Sequence, residues 1–521
     1  MRLPTTPLSP VPVLFISVAD SDLFRFIEEV HALMVESPGL VELIDADLDA
    51  HGLKKKALRV EDAAWVAAQT APLPGVALDL EVVEARGLKL LQGRPRTPGC
   101  VVLMAMLLRG YLGAGFKSCD AATLMQESQT LRVYLANVGL RMPGQSTLTE
   151  LVNGIKNETR ERILDAQVAR VAGLGWDDFS TVLQDSTHVE GNTRWPTDSG
   201  LIVDLVARML RIGASLPRLN LPVIEAAKAH KYLADMRMLD REIDLMPASR
   251  ERPRSRRRRY EKLLWRARRV HDLLVGPIAQ VAAAQTALYV LPSRKAMAGR
   301  ATLRLQEDLE ALAKAIENCE ARIVHETKVP MSEKQLSVSD PDVGFIAKGQ
   351  RVPVIGYKPQ LARSGTGFIT ALLLPKGNAA DSGQLQPMVD AVMRRTGVVP
   401  KVLSVDDGYA SRANMDAMQA RNIEVISING AKGRALTARA DWDSDAFALA
   451  RDDRSAVESL MFTLKQGFDF GEVARRGLAA VHGELLEKAL AYNLCHMVRT
   501  RRVLAAAAAK NDHNSNLRRA A

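Results

Sequence analysis

Apolar residues recur at helical spacing in FRFIEEVHALMVE, at positions 24, 27, 30, 33 and 34, and residues 1–95 read as a loosely organised helical region. VVLMAMLLRGYLGAG predicts a buried helix closed by glycines. CDAATLMQESQTLRVYLANVG predicts a second helix, ending at Asn137 and Gly139. In RMPGQSTLTELVNGIKNETRERI, Thr147 and Glu150 stand at capping-box spacing, while Leu148, Leu151, Val152 and Ile155 share one face. Helix, turn and capped helix with Arg and Lys nearby suit a helix-turn-helix lying in a major groove, and equally an ordinary bundle. Residues 96–175 are read as that helix-turn-helix-like, DNA-binding region.

The periodicity then changes. In STVLQDSTHVEGNTRWPTDS, residues 180–199, an apolar run ends at Asp185 and Pro196 breaks the backbone, which describes a strand delivering a carboxylate at its exit. Residues 201–325 return to long amphipathic helices. Strand signals resume near Val338, where VPVIGYKPQLA and GFITALLLPKG read as a hairpin-like pair around residues 363–367. QLQPMVDAVMRRTG follows as a helix stopped by Gly397, KVLSV as a buried strand exiting at Asp406, RANMDAMQARN as a helix capped by Ser411, and IEVISING as another buried strand. Antiparallel strands followed by helix-alternating buried strands imply an α/β fold with a mixed sheet and helices on its faces. Two last helices span about 454–465 and 477–502, and residues 501–521 read as a flexible, low-complexity tail.

At 521 residues and 47% hydrophobic content, the chain has material for two to four domains. Its formal charge of +10 favours an anionic partner. The densest charge lies in SRERPRSRRRRYEKLLWRARR, where Tyr260 and Trp265 are interleaved with ten arginines and one lysine. Such a run suits a solvated segment, or a surface in which residues 256–259 (Arg256, Arg257, Arg258 and Arg259) grip phosphates and Trp265 stacks on bases. The four cysteines form no CxxC pair and read as reduced, mostly buried thiols of a cytoplasmic protein. Neither a signal peptide nor a membrane span is expected.

Asp185 and Asp406 at strand exits and Glu458 on a helix are candidate ligands for divalent metal ions, which prefer hard carboxylate oxygens. If the two strands are neighbours, their carboxylates converge at one edge. Arg454, Glu458 and Lys465 stand four and seven residues apart (458 − 454 and 465 − 458), so all three share a helix face. The bland alternative is a surface salt-bridge ladder. Asp407 is expected to cap the turn before Gly408 and Asp198 to cap the next helix. His188 and His482 are candidate phosphate or water contacts or structural residues. The acidic stretch after Val41 is expected to be a solvated helix end.

QDSTHVEGNTRWPTDSGL, SVDDGYAS and the Arg454, Glu458, Lys465 spacing, followed by ARRGLAAVHGELLEKALAYNL, resemble the signature blocks of bacterial insertion-sequence transposases of the DDE type, with the ISNCY group the nearest in kind. The resemblance covers residues 185–196 and about 340–494, and more loosely the helices before Asp185. It implies an RNase H-like catalytic core in residues 176–200 and 326–500, interrupted by a helical, Arg-rich insertion at 201–325. It further implies binding to the inverted repeats of double-stranded DNA, two Mg2+ or Mn2+ ions, a homodimer or larger synaptic complex, and a place at the nucleoid. Asp185, Asp406 and Glu458 match the three acids, and Arg454 and Lys465 the basic residues of the third block. Arg451 stands where that block has tyrosine. An inactive DNA-binding descendant and a non-transposing Mg2+ nuclease are the other readings.

Overall fold

The computed structural model describes residues 22–69, 97–112, 123–124, 128–137, 144–246, 253–347 and 352–520. They divide into two compact units, one drawn from 1–51, 95–192 and 342–521 and the other from 52–94 and 193–341.

In the first unit, α1 (Asp22–Glu36) buries the stripe its spacing predicts, including Phe24, Ile27, Val30, Leu33 and Met34. The long α2 (Pro38–Gln69) begins here. Its acidic stretch, expected in solvent, is instead turned inward. Asp45 Oδ1 accepts from the Gly99 N–H at 2.9 Å, and Asp47, 4% exposed, accepts from the Lys156 N–H at 2.9 Å. Helix N-termini carry orphan N–H groups and a partial positive charge, so carboxylates from another helix can cap them. The helices capped this way are α3 (Gly99–Leu112), buried along most of its length, and, beyond α4 (Gln129–Asn137) and α5 (Gln145–Gly154), α6 (Asn157–Gly173).

The expected turn between α4 and α5, residues 138–143, lies outside the described residues. The expected capping box does not form. Gly144 precedes α5 with no side-chain cap, which leaves Thr147 and Glu150 inside the helix, and Glu150 pairs with His51 at 3.6 Å.

A mixed five-stranded sheet follows. Its strands are β1 (Thr181–Ser186), β5 (Gln360–Ser364), β6 (Ile369–Leu373), β7 (Val402–Asp406) and β8 (Val425–Asn429), in the order β6-β5-β1-β7-β8. β1 runs antiparallel to β5 and parallel to β7, and β7 is parallel to β8. A second sheet joins β2 (Val189–Glu190), β3 (Gly344–Ile346) and β4 (Val354–Tyr357) in the order β2-β4-β3. The expected hairpin is therefore β5 with β6, turning through Gly367 at φ +111°. β4, read as part of that pair, belongs to the second sheet: two residues after it, Pro359 lacks the N–H that a continuous ladder would use.

The helical block between β1 and the rest of the sheet forms much of the second unit, with α7 (Asp198–Ser215), α8 (Ala227–Leu245), α9 (Pro253–Thr286) and α10 (Pro292–Ile323). Ile202, Leu205, Met236, Leu263, Val270 and Leu305 are among its core residues. Thr197, not Asp198, caps α7, its side chain accepting from the Gly200 N–H at 3.0 Å. Asp198 sits one residue later and accepts two bonds from Arg322, at 2.7 and 2.8 Å.

Beyond β6, α11 (Leu385–Thr396) ends at Gly397 with φ +70°, and α12 (Arg412–Ala420) starts under the expected Ser411 cap. Met388, Val389, Met415 and Met418 cover the sheet face that carries Val182, Leu403, Val405 and Ile428. The short α13 (Ala431–Leu436), α14 (Arg439–Trp442) and α15 (Asp445–Asp452) follow β8, then α16 (Ser455–Gly467). α17 (Leu478–Ala520) continues as helix through the stretch expected as a tail. Gly110 of α3 lets α17 approach closely, because a Cβ there would meet the Ala491 Cβ at 2.7 Å.

Candidate active site

The register of β1 and β7 places the two aspartates. Thr181, Val182 and Leu183 pair with Val402, Leu403 and Ser404, a constant offset of 221 (402 − 181). Asp185 and Asp406 share that offset (406 − 185 = 221). They therefore stand level at the exits of adjacent parallel strands, which run about 4.8 Å apart, and on the same face of the sheet. β8 extends the row with Asn429 beside Asp406. The opposite face is the one packed on α11 and α12.

Both carboxylates are oriented by backbone. Asp185, 7% exposed, accepts at Oδ1 from the Ser186 N–H at 2.6 Å, and Asp406 accepts at Oδ1 from the Gly408 N–H at 2.9 Å. Asp406, rather than Asp407, thus holds the turn. Asp407 turns the other way and accepts from the Gly433 N–H at 2.8 Å, in the first turn of α13.

A further acid, Asp381, sits beside them. It lies in a 3-10 turn before α11 and is held by Lys358 at 2.9 Å and by Gln360 at 2.8 Å. Gln360 also accepts from the Tyr409 hydroxyl. Burial first, then the charges of Asp381, Asp185 and Asp406, push the Tyr409 phenol well above its ordinary value, so it stays a proton donor. Three carboxylates therefore act on one ring. No periodic pattern marks Asp381 in the sequence, and the partners that hold it, Lys358 and Gln360, lie 23 and 21 residues away.

α16 packs against β1 and carries the third acid in its first turn. Glu458 is exposed at 60% of its side chain and pairs with Arg454 at 3.4 Å, while Lys465 Nζ lies 3.2 Å from His188 Nε2. Seven residues separate Glu458 from Lys465, so the stripe that reaches the β1 exit loop at His188 also carries Glu458, about 10 Å earlier. Val457, Leu460, Met461 and Leu464 face the interior. Among the described residues, no three His, Cys, Asp or Glu side chains converge to hold one metal ion, so Glu458 is not assembled with the aspartates. The two level aspartates do offer the hard oxygens a divalent ion requires.

The other candidates sort by their surroundings. His482 lies 3.6 Å from Glu161, and burial lowers its pKa, which keeps it neutral in a structural role. Arg451, at the position where the third block has tyrosine, lies 5.7 Å over the Trp442 ring. In the second unit, Tyr260 is 2% exposed and belongs to the core, so it presents no base-stacking surface, whereas Trp265 is 49% exposed. Arg257 pairs with Glu261 at 3.0 Å, Arg259 pairs with Glu242 at 2.6 Å, and Arg256 is half-buried over the Tyr260 ring; Arg258 is exposed. Burial pushes the Cys100 thiol up to about 11 and the Cys495 thiol to about 12.

Residues 324–494 match the family model described as the Transposase DDE domain. That span contains Asp381, Asp406, Arg454, Glu458 and Lys465; Asp185 precedes it. No curated protein and no solved structure matches the chain. No helix among the described residues is long and apolar enough to cross a membrane.

Proposed function

We propose that this chain is a DDE transposase that binds the terminal inverted repeats of an insertion sequence, cleaves DNA there in a metal-dependent reaction, and joins the freed 3′ ends to a target. The observation that carries the reading is the level placement of Asp185 and Asp406 on neighbouring strands, beside a region matching the Transposase DDE domain. A mixed sheet presenting both acids on one edge supports the RNase H-like core that the resemblance implies.

Asp185 and Asp406 would hold divalent ions, Mg2+ or Mn2+, with Glu458 as third ligand. Such ions activate an attacking oxygen and stabilise the leaving oxygen of a phosphodiester. The Ser186 and Gly408 N–H groups fix the two aspartate carboxylates before substrate arrives. Glu458 is the movable member. Its exposed pair with Arg454 is worth little, about 0–1 kcal/mol, so a phosphate arriving at Arg454 displaces it readily. Lys465 adds a second cation on the same stripe, and the exposed Arg258 and Trp265 on α9 contribute DNA contacts. A homodimer or larger synaptic assembly brings two element ends together.

The test is cleavage of a labelled duplex carrying the DNA that flanks this gene, in Mg2+ and in EDTA. Metal-dependent nicking at a repeat boundary supports the proposal. Tight binding without nicking would favour an inactive DNA-binding descendant, and nicking without preference for a repeat would favour a nuclease.

A further inference from the structure

α9 carries eight arginines and one lysine between Arg254 and Arg269, and the second unit uses them unequally. Five are engaged within the fold. Arg256 lies over Tyr260, Arg257 pairs with Glu261, and Arg268 pairs with Glu320. Arg259 with Glu242 and Arg266 with Asp235 staple α9 to the antiparallel α8, seven residues apart on each helix (266 − 259 and 242 − 235).

The remaining four, Arg254, Arg258, Lys262 and Arg269, are exposed, and no carboxylate among the described residues pairs with them. Their spacing gives them one direction. At 100° per residue, positions 254, 258, 262, 265 and 269 fall within an arc of about 80°, and they extend about 22 Å along the axis. The fifth member is Trp265, half exposed, edge-on to Tyr232 at 5.9 Å and with Arg269 5.6 Å over its ring. Arg254, Arg258 and Lys262 also line one wall of a groove of about 760 Å³ between α8 and α9. The carboxylates in that groove, Asp235 and Glu242, are those already neutralised by Arg266 and Arg259, so its lining keeps an excess of three positive charges (five cations, two anions).

Like charges four residues apart repel one another and weaken a helix. The fold pairs four of the basic residues on the other faces of α9 with carboxylates, sets Arg256 against the Tyr260 ring, and leaves this row open, which is the arrangement a polyanion completes. We propose that the stripe Arg254, Arg258, Lys262, Trp265 and Arg269 is a track for the phosphodiester backbone of duplex DNA. Trp265 is a flat support that holds the Arg269 guanidinium outward. The contact is to the backbone, so it is independent of base sequence. This rests on the DNA-acting reading above and narrows the 256–259 run to Arg258 alone.

The experiment is the salt dependence of binding to a duplex of fixed length, for the full chain and for Arg254→Ser/Arg258→Ser/Lys262→Ser. Each lost phosphate contact removes about 0.9 from the slope of log affinity against log salt, so the triple variant loses about 2.7. Arg254→Lys/Arg258→Lys keeps the wild-type slope because charge is retained. Should the triple variant unfold, Arg258→Ser alone is expected to lose about 0.9. A wild type that binds DNA with a slope unchanged in these serine variants overturns the track and leaves the DNA-acting reading standing. A wild type that binds no duplex at any salt concentration removes both.

Discussion

The carboxylates of Asp381 and Asp406 flank Gly408: a Cβ at that position would stand 3.0 Å from Asp406 Oδ1 and 3.2 Å from Asp381 Oδ2. The Gly408 N–H is also the donor that orients Asp406. Glycine here preserves space between two acids rather than an unusual backbone angle. Gly408→Ala is therefore expected to fold with a Tm within a few degrees of wild type while cleavage falls at least tenfold, because the methyl group displaces Asp406. Thermal melts and single-turnover nicking check this together, and unchanged nicking would show that the spacing does not matter.

Glu487, on α17 of the same unit, is the centre of a buried ion-pair cluster. It is 2% exposed and accepts from Arg160 and from both terminal nitrogens of Arg475, at 2.9 and 3.0 Å, with Arg109 3.7 Å away. Glu487→Gln leaves buried guanidinium charge uncompensated and should cost about 3–5 kcal/mol, read from urea unfolding. A loss under ~1 kcal/mol would mean that water reaches the cluster.

The same residue gives a pH dependence. Burial alone would raise the Glu487 pKa, but Arg475, Arg160 and Arg109 outweigh it and bring it to about 2, against 4.5 for the free side chain. Glu484 is lowered as well. A depressed folded-state pKa contributes stability that is fully present above the unfolded value and lost as pH falls through the folded one. Stability is thus expected to decline between about pH 4.5 and pH 2, and Glu487→Gln should flatten that decline. An equal decline in the variant would assign the acid sensitivity elsewhere.

Tyr260 and Trp265 separate core from surface on one helix. Tyr260→Ala empties a buried site and should cost about 3–5 kcal/mol, whereas Trp265→Ala, at a half-exposed ring, should cost less than half as much. Denaturant midpoints of the two variants decide this, and equal losses would contradict the placement.

Much of this was legible in the sequence and some was not, for identifiable reasons. Asp185 and Asp406 could be placed because each ends a short apolar run at a strand exit, and the strand pattern is local. Which strands pair is not local, so the sequence could not separate β4 from the hairpin formed by β5 and β6. Asp45 and Asp47 looked like solvated residues because the N-termini they cap, at Gly99 and Lys156, lie 54 and 109 residues away. Asp381 was missed because a 3-10 turn has no periodicity to betray its neighbours. The charge run at 256–259 was visible as composition, but only packing shows which of its arginines are already paired.

The most direct test of the central claim compares wild type with Asp185→Asn and Asp406→Asn in Mg2+-dependent nicking of the flanking-repeat duplex, with end binding measured in parallel. The two acids stand level on adjacent strands, and under the proposal that they hold the same ions each variant alone should abolish nicking while leaving binding within about twofold. Wild-type nicking in either variant would contradict the assignment of these two aspartates as the paired metal ligands.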